Sequence, residues 1–228
     1  MTTSNSTHQD IRFLFPTFDN IQQTSAGLSE EKMKQRPTTF YEALDTKTHR
    51  RVFIKRVNIQ QNTKEFVAER EFLKKFSKGE TIELIREVIE NCQDPQYGYF
   101  VFPLAEGGDL FTLAIEQEWT PTNEEFTKLA FNLLTSLAKI HKEGCIIRDI
   151  KLDNIVYLDN HSPVNADNIK FIDFGSAYIE GISTHNNFRG TENYYAPEYL
   201  YRNKLTSAFD IWSLGITFYV LIAKYFPN

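Results

Sequence analysis

Short apolar runs in the first half of the chain predict strands, and one longer segment predicts a helix. The strand-like segments are 51–57, 83–90 and 99–104. A turn-rich stretch at 91–98 separates the last two. Residues 63–76 carry apolar anchors at helical spacing, namely Phe66, Leu73 and Phe76. This half of the chain is therefore expected to be rich in β-structure with one main helix.

The second half of the chain carries longer helical patterns. Thr122 and Glu125 form a candidate capping box. It opens an amphipathic helix whose apolar face consists of Phe126, Leu129, Leu133, Leu137 and Ile140. Residues 209–223 are mostly apolar, but the segment is short for a membrane span and includes Asp210, Ser213 and Thr217. We therefore predict a buried central helix there.

The composition is typical of a globular enzyme and excludes some classes of partner. Of 228 residues, 30 are acidic and 25 basic, which gives a net charge of −5, of the wrong sign for nucleic-acid binding. Hydrophobic residues make up 41%, enough for a sizeable core. The two cysteines imply no disulfide framework and fit a reducing compartment. Residues 1–10 are polar, so we expect a cytoplasmic or nuclear protein that is not secreted and has no transmembrane segment.

Two polar motifs each follow an apolar stretch in the second half. Residues 147–154 read Ile-Arg-Asp-Ile-Lys-Leu-Asp-Asn, residues 173–175 read Asp-Phe-Gly, and residues 196–198 then read Ala-Pro-Glu. The strand-like segments that flank the first two motifs are 152–158 and 169–172. One short pattern would be weak, but three in this order are specific. Together they resemble the catalytic loop and the magnesium-binding loop of eukaryotic-type serine/threonine protein kinases.

The resemblance assigns a role in phosphoryl transfer to the polar residues of these motifs. Asp149 would accept or orient the proton of the attacking hydroxyl, and Lys151 would reach the γ-phosphate of ATP. Asn154 and Asp173 would each hold one Mg²⁺, since hard oxygen ligands suit a hard cation. The dense negative charge of the transition state requires such cations and aligned donors. The alternative interpretation is a set of ordinary surface-loop residues.

The first half supplies the other charged groups that the family uses. Lys55 matches the phosphate-binding lysine, and Glu69, in the predicted helix, matches the helix glutamate of the family. An ion pair between them would hold the Lys55 amine toward the α- and β-phosphates. Glu65 and Glu71 are rival partners, and any of the three glutamates could be solvated.

The end of the last strand-like segment resembles the kinase hinge that binds adenine. Phe102 would be the gatekeeper, and the Pro103 carbonyl and Ala105 amide would face the adenine edge. Proline costs no needed donor here, because only its carbonyl is used. Asp109 fits the ribose-contacting position, and Val156 belongs to the same ATP-binding set. A hairpin strand followed by a Gly-Gly turn is a compatible interpretation.

The resemblance implies an α+β, bilobal, protein-kinase-like fold. Residues 1–12 would form a flexible tail, and residues 13–104 a small β-rich N-lobe with one main helix. Residues 105–228 would form a mainly helical C-lobe that is incomplete at its C-terminus. Full-length relatives continue through further helices. We therefore expect a missing C-terminal segment or a partner that covers the truncated C-lobe.

These assignments predict a serine/threonine protein kinase that uses ATP and Mg²⁺. It would transfer the γ-phosphate to hydroxyls of a protein substrate, with no nucleic-acid or membrane partner. Lys151 belongs to the serine/threonine form of the catalytic loop. Gly190-Thr191 also resembles that class, whose threonine bonds to the catalytic aspartate and lysine. Asp210 and Trp212 sit where the central helix of the family braces the catalytic loop.

Arg148 suggests a regulatory hypothesis for the segment between the Asp-Phe-Gly and Ala-Pro-Glu motifs. A phosphate on Ser183 or Thr184 could pair with Arg148 and order this activation segment. The alternative is a plain surface loop, in which serine and threonine are common.

Several residues depart from the family pattern and favour a second function. Counted back from Lys55 along a β-hairpin, the three positions that are glycine in the family's phosphate-binding loop are Met33, Gln35 and Thr38. Phe53 occupies the small-residue position above the adenine, where an aromatic ring could crowd the base or stack beside it. Ile147 also replaces the usual histidine, but that position mainly packs against Phe174 in the family, so an apolar residue could serve there. The alternative is a kinase-like (pseudokinase) binding or scaffold protein with weak or no catalysis.

Overall fold

The computed structural model describes residues 14–24, 38–76, 87–90, 96–159, 168–183, 189–202 and 204–227. The chain divides into two compact units. The first comprises residues 1–66 and 84–104, and the second comprises residues 67–83 and 105–228. The tail and lobe boundaries drawn from the sequence stay a prediction.

Short alternating segments build one antiparallel sheet in the first unit. Its strands are β1 (Phe18–Thr24), β2 (Thr38–Asp45), β3 (Arg50–Asn58), β4 (Glu87–Glu90) and β5 (Tyr97–Pro103). Their spatial order is β1-β2-β3-β5-β4. Helix α1 (Thr63–Phe76) has the predicted bounds and continues from the first unit into the second.

One face of this sheet forms the hydrophobic core of the first unit. Tyr41 lies opposite Ile54, and Ile54 lies opposite Val101, in the strand register. These three residues are buried in one cluster. Because side chains alternate along a strand, Phe53 and Lys55 project from the opposite face.

A segment in front of β1 covers the buried face of the sheet. The Phe15 ring stacks on Phe18 with centroids 5.1 Å apart, and it meets the Tyr99 ring edge-on at 5.6 Å. The backbone N–H and the hydroxyl of Thr46 both donate to the Thr17 carbonyl. Aromatic packing and hydrogen bonds therefore attach these early residues to the sheet.

β1 and β2 pair as neighbouring antiparallel strands, as the count along a β-hairpin assumed. β1 ends at Thr24, while Thr38 already belongs to β2 and pairs with Val57. Residues 25–37, which contain the other two positions counted as phosphate-binding loop, lie outside the described residues. Thr38 is the first residue of β2, and its place in the phosphate-binding loop stays a prediction.

Gly98 belongs to β5, although the sequence predicted a turn there. It pairs with Val57 of β3 and Glu90 of β4. A Cβ atom at this position would lie 2.2 Å from the Phe66 ring. The missing side chain thus lets Phe66, in the first turn of α1, pack directly against the strand.

We expect Gly98→Ala to lower the free energy of unfolding by about 1–3 kcal/mol, the usual cost of overpacking. The Phe66 ring is buried and also packs on Phe100 at 5.1 Å, so it cannot move aside without losing that contact. Urea denaturation followed by circular dichroism measures the change. Gly215→Ala is the matched control, because its added Cβ meets no atom within 4 Å and alanine favours the helix. Equal destabilisation by both substitutions would contradict the packing explanation.

The second unit is mainly helical, as predicted. Besides most of α1, its α-helices are α2 (Asn123–Lys142), α3 (Pro197–Arg202) and α4 (Ala208–Ala223). Two short antiparallel ladders complete it: β6 (Cys145–Ile146) with β9 (Tyr178–Ile179), and β7 (Ile155–Tyr157) with β8 (Ile169–Phe171). The described part of the chain contains no helix of the length and apolarity that a membrane crossing needs.

The capping box predicted for α2 is present. The Glu125 N–H donates to Thr122 Oγ1 at 3.3 Å, and Glu125 Oε2 accepts from the Thr122 N–H at 2.7 Å. The buried residues of α2 are Leu129, Leu133, Leu137 and Ile140. Phe126, also predicted for this face, is half-buried and packs edge-on against Phe218 at 5.2 Å.

Candidate active site

The catalytic-loop motif lies between β6 and β7 in the second unit. The strand predicted at 152–158 is shorter than expected, because Leu152–Asn154 form a 3₁₀ turn before β7. This turn aims the Asn154 side chain back along the loop. Its amide donates to the Asp149 carbonyl at 2.9 Å and to Asp149 Oδ2 at 3.1 Å. The loop residues are therefore ordered by each other.

Asp210 of α4 holds the start of this loop, as the family resemblance implied. Its carboxylate is fully buried and accepts from the Ile147 N–H at 2.8 Å and the Arg148 N–H at 2.9 Å. His141 Nε2 lies 2.8 Å from Asp210 Oδ2. Trp212 is 44% exposed, and its bracing role stays a prediction. Two hydrogen bonds to one carboxylate fix the backbone just before Asp149.

Asp149, Lys151 and Thr191 form one hydrogen-bonded group. The Thr191 hydroxyl donates to Asp149 Oδ1 at 2.7 Å and accepts from Lys151 Nζ at 3.0 Å. Lys151 Nζ lies 3.7 Å from Asp149 Oδ2. Gly190 makes this arrangement possible, because its φ of 99° and the 2.1 Å that would separate a Cβ from the Arg148 carbonyl exclude other residues. A carboxylate base candidate and a cation thus share one orienting hydroxyl.

We expect Thr191→Val to lower phosphate transfer by about 10- to 100-fold, because it removes two hydrogen bonds to charged groups while keeping the side-chain shape. Steady-state transfer to a serine-containing peptide measures the loss. Thr191→Ser keeps the hydroxyl and should retain most of the activity. A fully active valine variant, or a serine variant as weak as the valine one, would contradict this role.

Asp173 follows β8 and has a φ of 60°, in the left-handed region. The Ile172 N–H donates to the Asn154 carbonyl at 2.9 Å, which joins this loop to the catalytic loop. Asp173 Oδ1 accepts from the Gly175 N–H at 3.4 Å, and the residue is exposed. No group of three or more His, Cys, Asp or Glu residues suited to a metal occurs among the described residues. One carboxylate and one amide instead suit Mg²⁺ held partly by nucleotide phosphates.

Phe174 anchors the Asp-Phe-Gly motif to α1. Its ring stacks on Phe72 with centroids 4.1 Å apart and an interplanar angle of 13°. Ile147, at the usual histidine position, is buried, so an apolar residue is well accommodated there. These contacts fix the residue that follows Asp173.

Lys55 and Glu69 belong to different units. Lys55 is half-buried on β3, and Glu69 on α1 is 2% exposed. The rival Glu71 accepts from Arg70 Nε at 2.7 Å and lies 3.7 Å from Lys74 Nζ, so cations on its own helix already neutralise it. The Lys55–Glu69 ion pair stays a prediction.

The hinge candidates are divided in the same way. Phe102 and Pro103 are half-buried in β5 of the first unit, while Ala105 begins the second. Both carboxylate oxygens of Asp109 accept from Thr112, one from its N–H at 2.8 Å and one from its hydroxyl at 3.0 Å. These bonds join Asp109 to the first residue of the π-helical turn Thr112–Glu116. Contact of Asp109 with ribose stays a prediction.

Val156, the last member of the predicted ATP-binding set, lies on β7. It is buried and bridges to Asp109. This isolated antiparallel β-bridge therefore places two of the predicted nucleotide-binding residues side by side. Their role in binding the nucleotide stays a prediction.

Arg148 is buried against the start of the activation segment. Its Nε donates to the Ser176 carbonyl at 2.6 Å and its Nη2 to the Ala177 carbonyl at 3.4 Å. Burial lowers the pKa of this guanidinium. Ser183 Oγ accepts from the Ile179 N–H at 3.1 Å, and Thr184 lies outside the described residues. The phosphorylation hypothesis stays a prediction.

Sequence reasoning missed some residues that support this site. His141 contacts the buried carboxylate of Asp210, and the Arg189 guanidinium donates to the Gly175 carbonyl at 3.5 Å. The Arg189 N–H donates to the Tyr199 hydroxyl at 3.3 Å. No local pattern marks these residues, because their partners are distant in sequence.

Comparison with known proteins decides the family. The protein kinase domain family matches residues 37–228. The chain is a protein kinase domain. The α+β kinase class with a β-sheet N-lobe and a helical C-lobe is thereby confirmed. The segment that carries Phe15 and all of β1 precedes the matched range.

Similar kinases include calcium/calmodulin-dependent protein kinase type 1 of Macrobrachium nipponense, which is 30% identical over 63% of this chain and 40% of its own length. Human ribosomal protein S6 kinase alpha-6 is 30% identical over 69% of this chain and 20% of its length. Ribosomal protein S6 kinase 2 beta of Xenopus laevis is 30% identical over 69% of this chain and 24% of its length. This kinase domain therefore spans between about a fifth and two fifths of these relatives.

Proposed function

We propose that the chain is an active serine/threonine protein kinase that transfers the γ-phosphate of ATP to a protein hydroxyl. The hydrogen-bonded group of Asp149, Lys151 and Thr191 carries this proposal. Asp149 would take the proton of the attacking hydroxyl, since a positioned carboxylate is the usual base in this reaction. Lys151 would balance charge on the transferred phosphoryl group.

Substrate class is part of the same proposal. Lys151 and Thr191 are the residues that resemble the serine/threonine class, and their contact at 3.0 Å supports a shared function. The named relatives are kinases of the calcium/calmodulin-dependent and ribosomal protein S6 kinase types. We therefore infer a protein substrate with a serine or threonine hydroxyl.

ATP and Mg²⁺ are the proposed cofactors. Lys55, positioned by Glu69, would bind phosphate oxygens, and the residues proposed for base and ribose are Phe102, Pro103, Ala105, Asp109 and Val156. Asn154 and Asp173 offer the oxygen donors that Mg²⁺ prefers, and the bound ion would neutralise phosphate charge. Asp173 is exposed, as a residue that must meet a ligand should be.

The proposed compartment is reducing, either the cytoplasm or the nucleus. Cys145 is buried, and burial raises the pKa of its thiol to about 11. It is therefore a packing residue with little thiolate character. No disulfide is needed to explain its position.

A binding or scaffold protein without catalysis is the second candidate. Phe53 favours it, because this aromatic residue lies beside Lys55 on the same face of the sheet, where the family has a small residue. Such a protein would bind the nucleotide weakly and transfer no phosphate.

Thermal unfolding with and without ATP and Mg²⁺ separates these candidates, when paired with a transfer assay on serine and tyrosine peptides. An active kinase should show a raised midpoint, because ligand binds the native state, and transfer to the serine peptide. Asp173→Asn should abolish both effects. A raised midpoint without transfer would favour the scaffold, and equal transfer to tyrosine would contradict the proposed substrate class.

A further inference from the structure

The sheet face that carries Lys55 is covered by aromatic rings. Phe40 of β2 and Phe53 of β3 stack with centroids 5.4 Å apart and an interplanar angle of 23°. Phe102 lies opposite Phe53 in the register of β3 and β5 and stacks on Phe100 at 6.3 Å. Phe40, Phe53 and Phe102 are only half-buried. We call Phe40, Phe53, Phe100 and Phe102 the aromatic layer.

Lys55 lies inside this layer. In the strand register it is opposite Phe40 on one side and Phe100 on the other. A lysine amine on a long flexible stem can extend beyond neighbouring rings to an anion. The layer therefore leaves phosphate binding possible while it occupies the sheet surface on both sides.

The position of the rings relative to the hinge decides their effect on a purine. Pro103 lies opposite Val52, and Phe102 lies opposite Phe53. A base that bonds to the Pro103 carbonyl must therefore lie over the neighbouring part of β3. The backbone bond fixes the distance of the base edge from the sheet. A phenyl ring at position 53 extends much further from the sheet than a small side chain, and its stack with Phe40 restricts its movement.

We propose that the Phe40–Phe53 stack excludes the nucleobase from its hinge position, so that the chain holds a nucleotide mainly by its phosphates. This inference rests on the phosphate and Mg²⁺ part of the proposed nucleotide site, replaces the base contacts proposed for Phe102, Pro103 and Ala105, and makes Phe53 the specificity-determining residue. Affinity should depend little on which base is attached. A smaller residue at position 53 should restore base binding.

Affinities of Mg²⁺-ATP and Mg²⁺-tripolyphosphate, measured by calorimetry on the whole chain, test this inference. Wild type should bind the two ligands with similar dissociation constants. Phe53→Ala should tighten ATP binding by about 5- to 150-fold, the range that one base stacked against protein contributes. Tripolyphosphate binding should not change. Phe53→Val keeps a β-branched residue in the strand and should show the same direction if the alanine variant folds poorly.

Two further variants sharpen the result. Phe40→Ala removes the stacking partner and should give a smaller gain in ATP affinity. Tyr97→Ala removes a half-buried ring from the opposite face of the same sheet and should change neither affinity. Weaker ATP binding in Phe53→Ala would show that the ring supports the base and would overturn the inference. The inference would also be overturned if wild type bound ATP more tightly than tripolyphosphate and Phe53→Ala left the affinity for ATP unchanged.

Failure of the underlying nucleotide site gives a different result. In that case neither ligand would bind wild type or the Phe53 variants, or binding would persist unchanged in Asp173→Asn. Either result would contradict both the proposed nucleotide site and the inference about Phe53. Binding that requires Asp173 but does not improve in Phe53→Ala would contradict the inference alone.

Discussion

Asp149→Asn should lower phosphate transfer by about 100- to 10,000-fold, the usual contribution of a general base. The amide keeps the size of the carboxylate and can still accept from the Thr191 hydroxyl, which now lies 2.7 Å from Asp149 Oδ1. It cannot take the proton of the substrate hydroxyl. Single-turnover transfer at saturating ATP measures the loss, and thermal unfolding should show an unchanged response to ATP and Mg²⁺.

Asp153→Asn is the matched control for this experiment. Asp153 lies on the same loop and is exposed, so its substitution removes one negative charge near the site without touching the hydrogen-bonded group. Its activity should equal that of wild type. Equal losses in both variants would mean that the negative charge near the site matters and that Asp149 is not a general base. Full activity of Asp149→Asn would exclude Asp149 from the mechanism.

Asp210→Ala should lower the free energy of unfolding by about 4 kcal/mol. The substitution leaves the Ile147 and Arg148 N–H groups without their acceptor in a buried region. Each unpaired buried donor costs about 1–3 kcal/mol, and the His141 contact is lost as well. Urea denaturation measures the change, and transfer activity should fall with it because the loop carrying Asp149 loses its support.

Ser213→Ala provides the comparison on the same helix. Its hydroxyl is buried and bonds to the Tyr194 carbonyl at 2.8 Å, so its loss should cost only about 1 kcal/mol. A similar cost for Asp210→Ala would mean that the catalytic loop holds its shape without the carboxylate.

Local sequence patterns predicted much of the fold. The bounds of α1, the capping box at Thr122 and the buried stripe of α2 followed from spacing alone, because each depends on residues within one or two turns. The short motifs at 147–154 and 173–175 identified the family for a similar reason. Chemistry that needs fixed spacing leaves a readable pattern.

Tertiary contacts account for the places where the structure differs from the sequence-based prediction. Gly98 reads as a turn residue, but its role is to admit the Phe66 ring, which no local rule reveals. The 3₁₀ turn at Leu152–Asn154 replaced a predicted strand, since it returns the Asn154 amide to Asp149. The sequence did not predict the stacking of Phe40, because its partner Phe53 lies on another strand.

The position of β1 has a practical consequence for work with shortened chains. β1 is an edge strand of its sheet, and it precedes the residues that match the family. A chain that begins at residue 37 would lack β1 and Phe15. One side of β2 would then have no backbone partner, and the surface beneath Phe15 would be exposed. Unpaired strand edges recruit other chains. If such a shortened protein aggregated, the cause would be the missing edge strand and not a low stability of the catalytic domain itself.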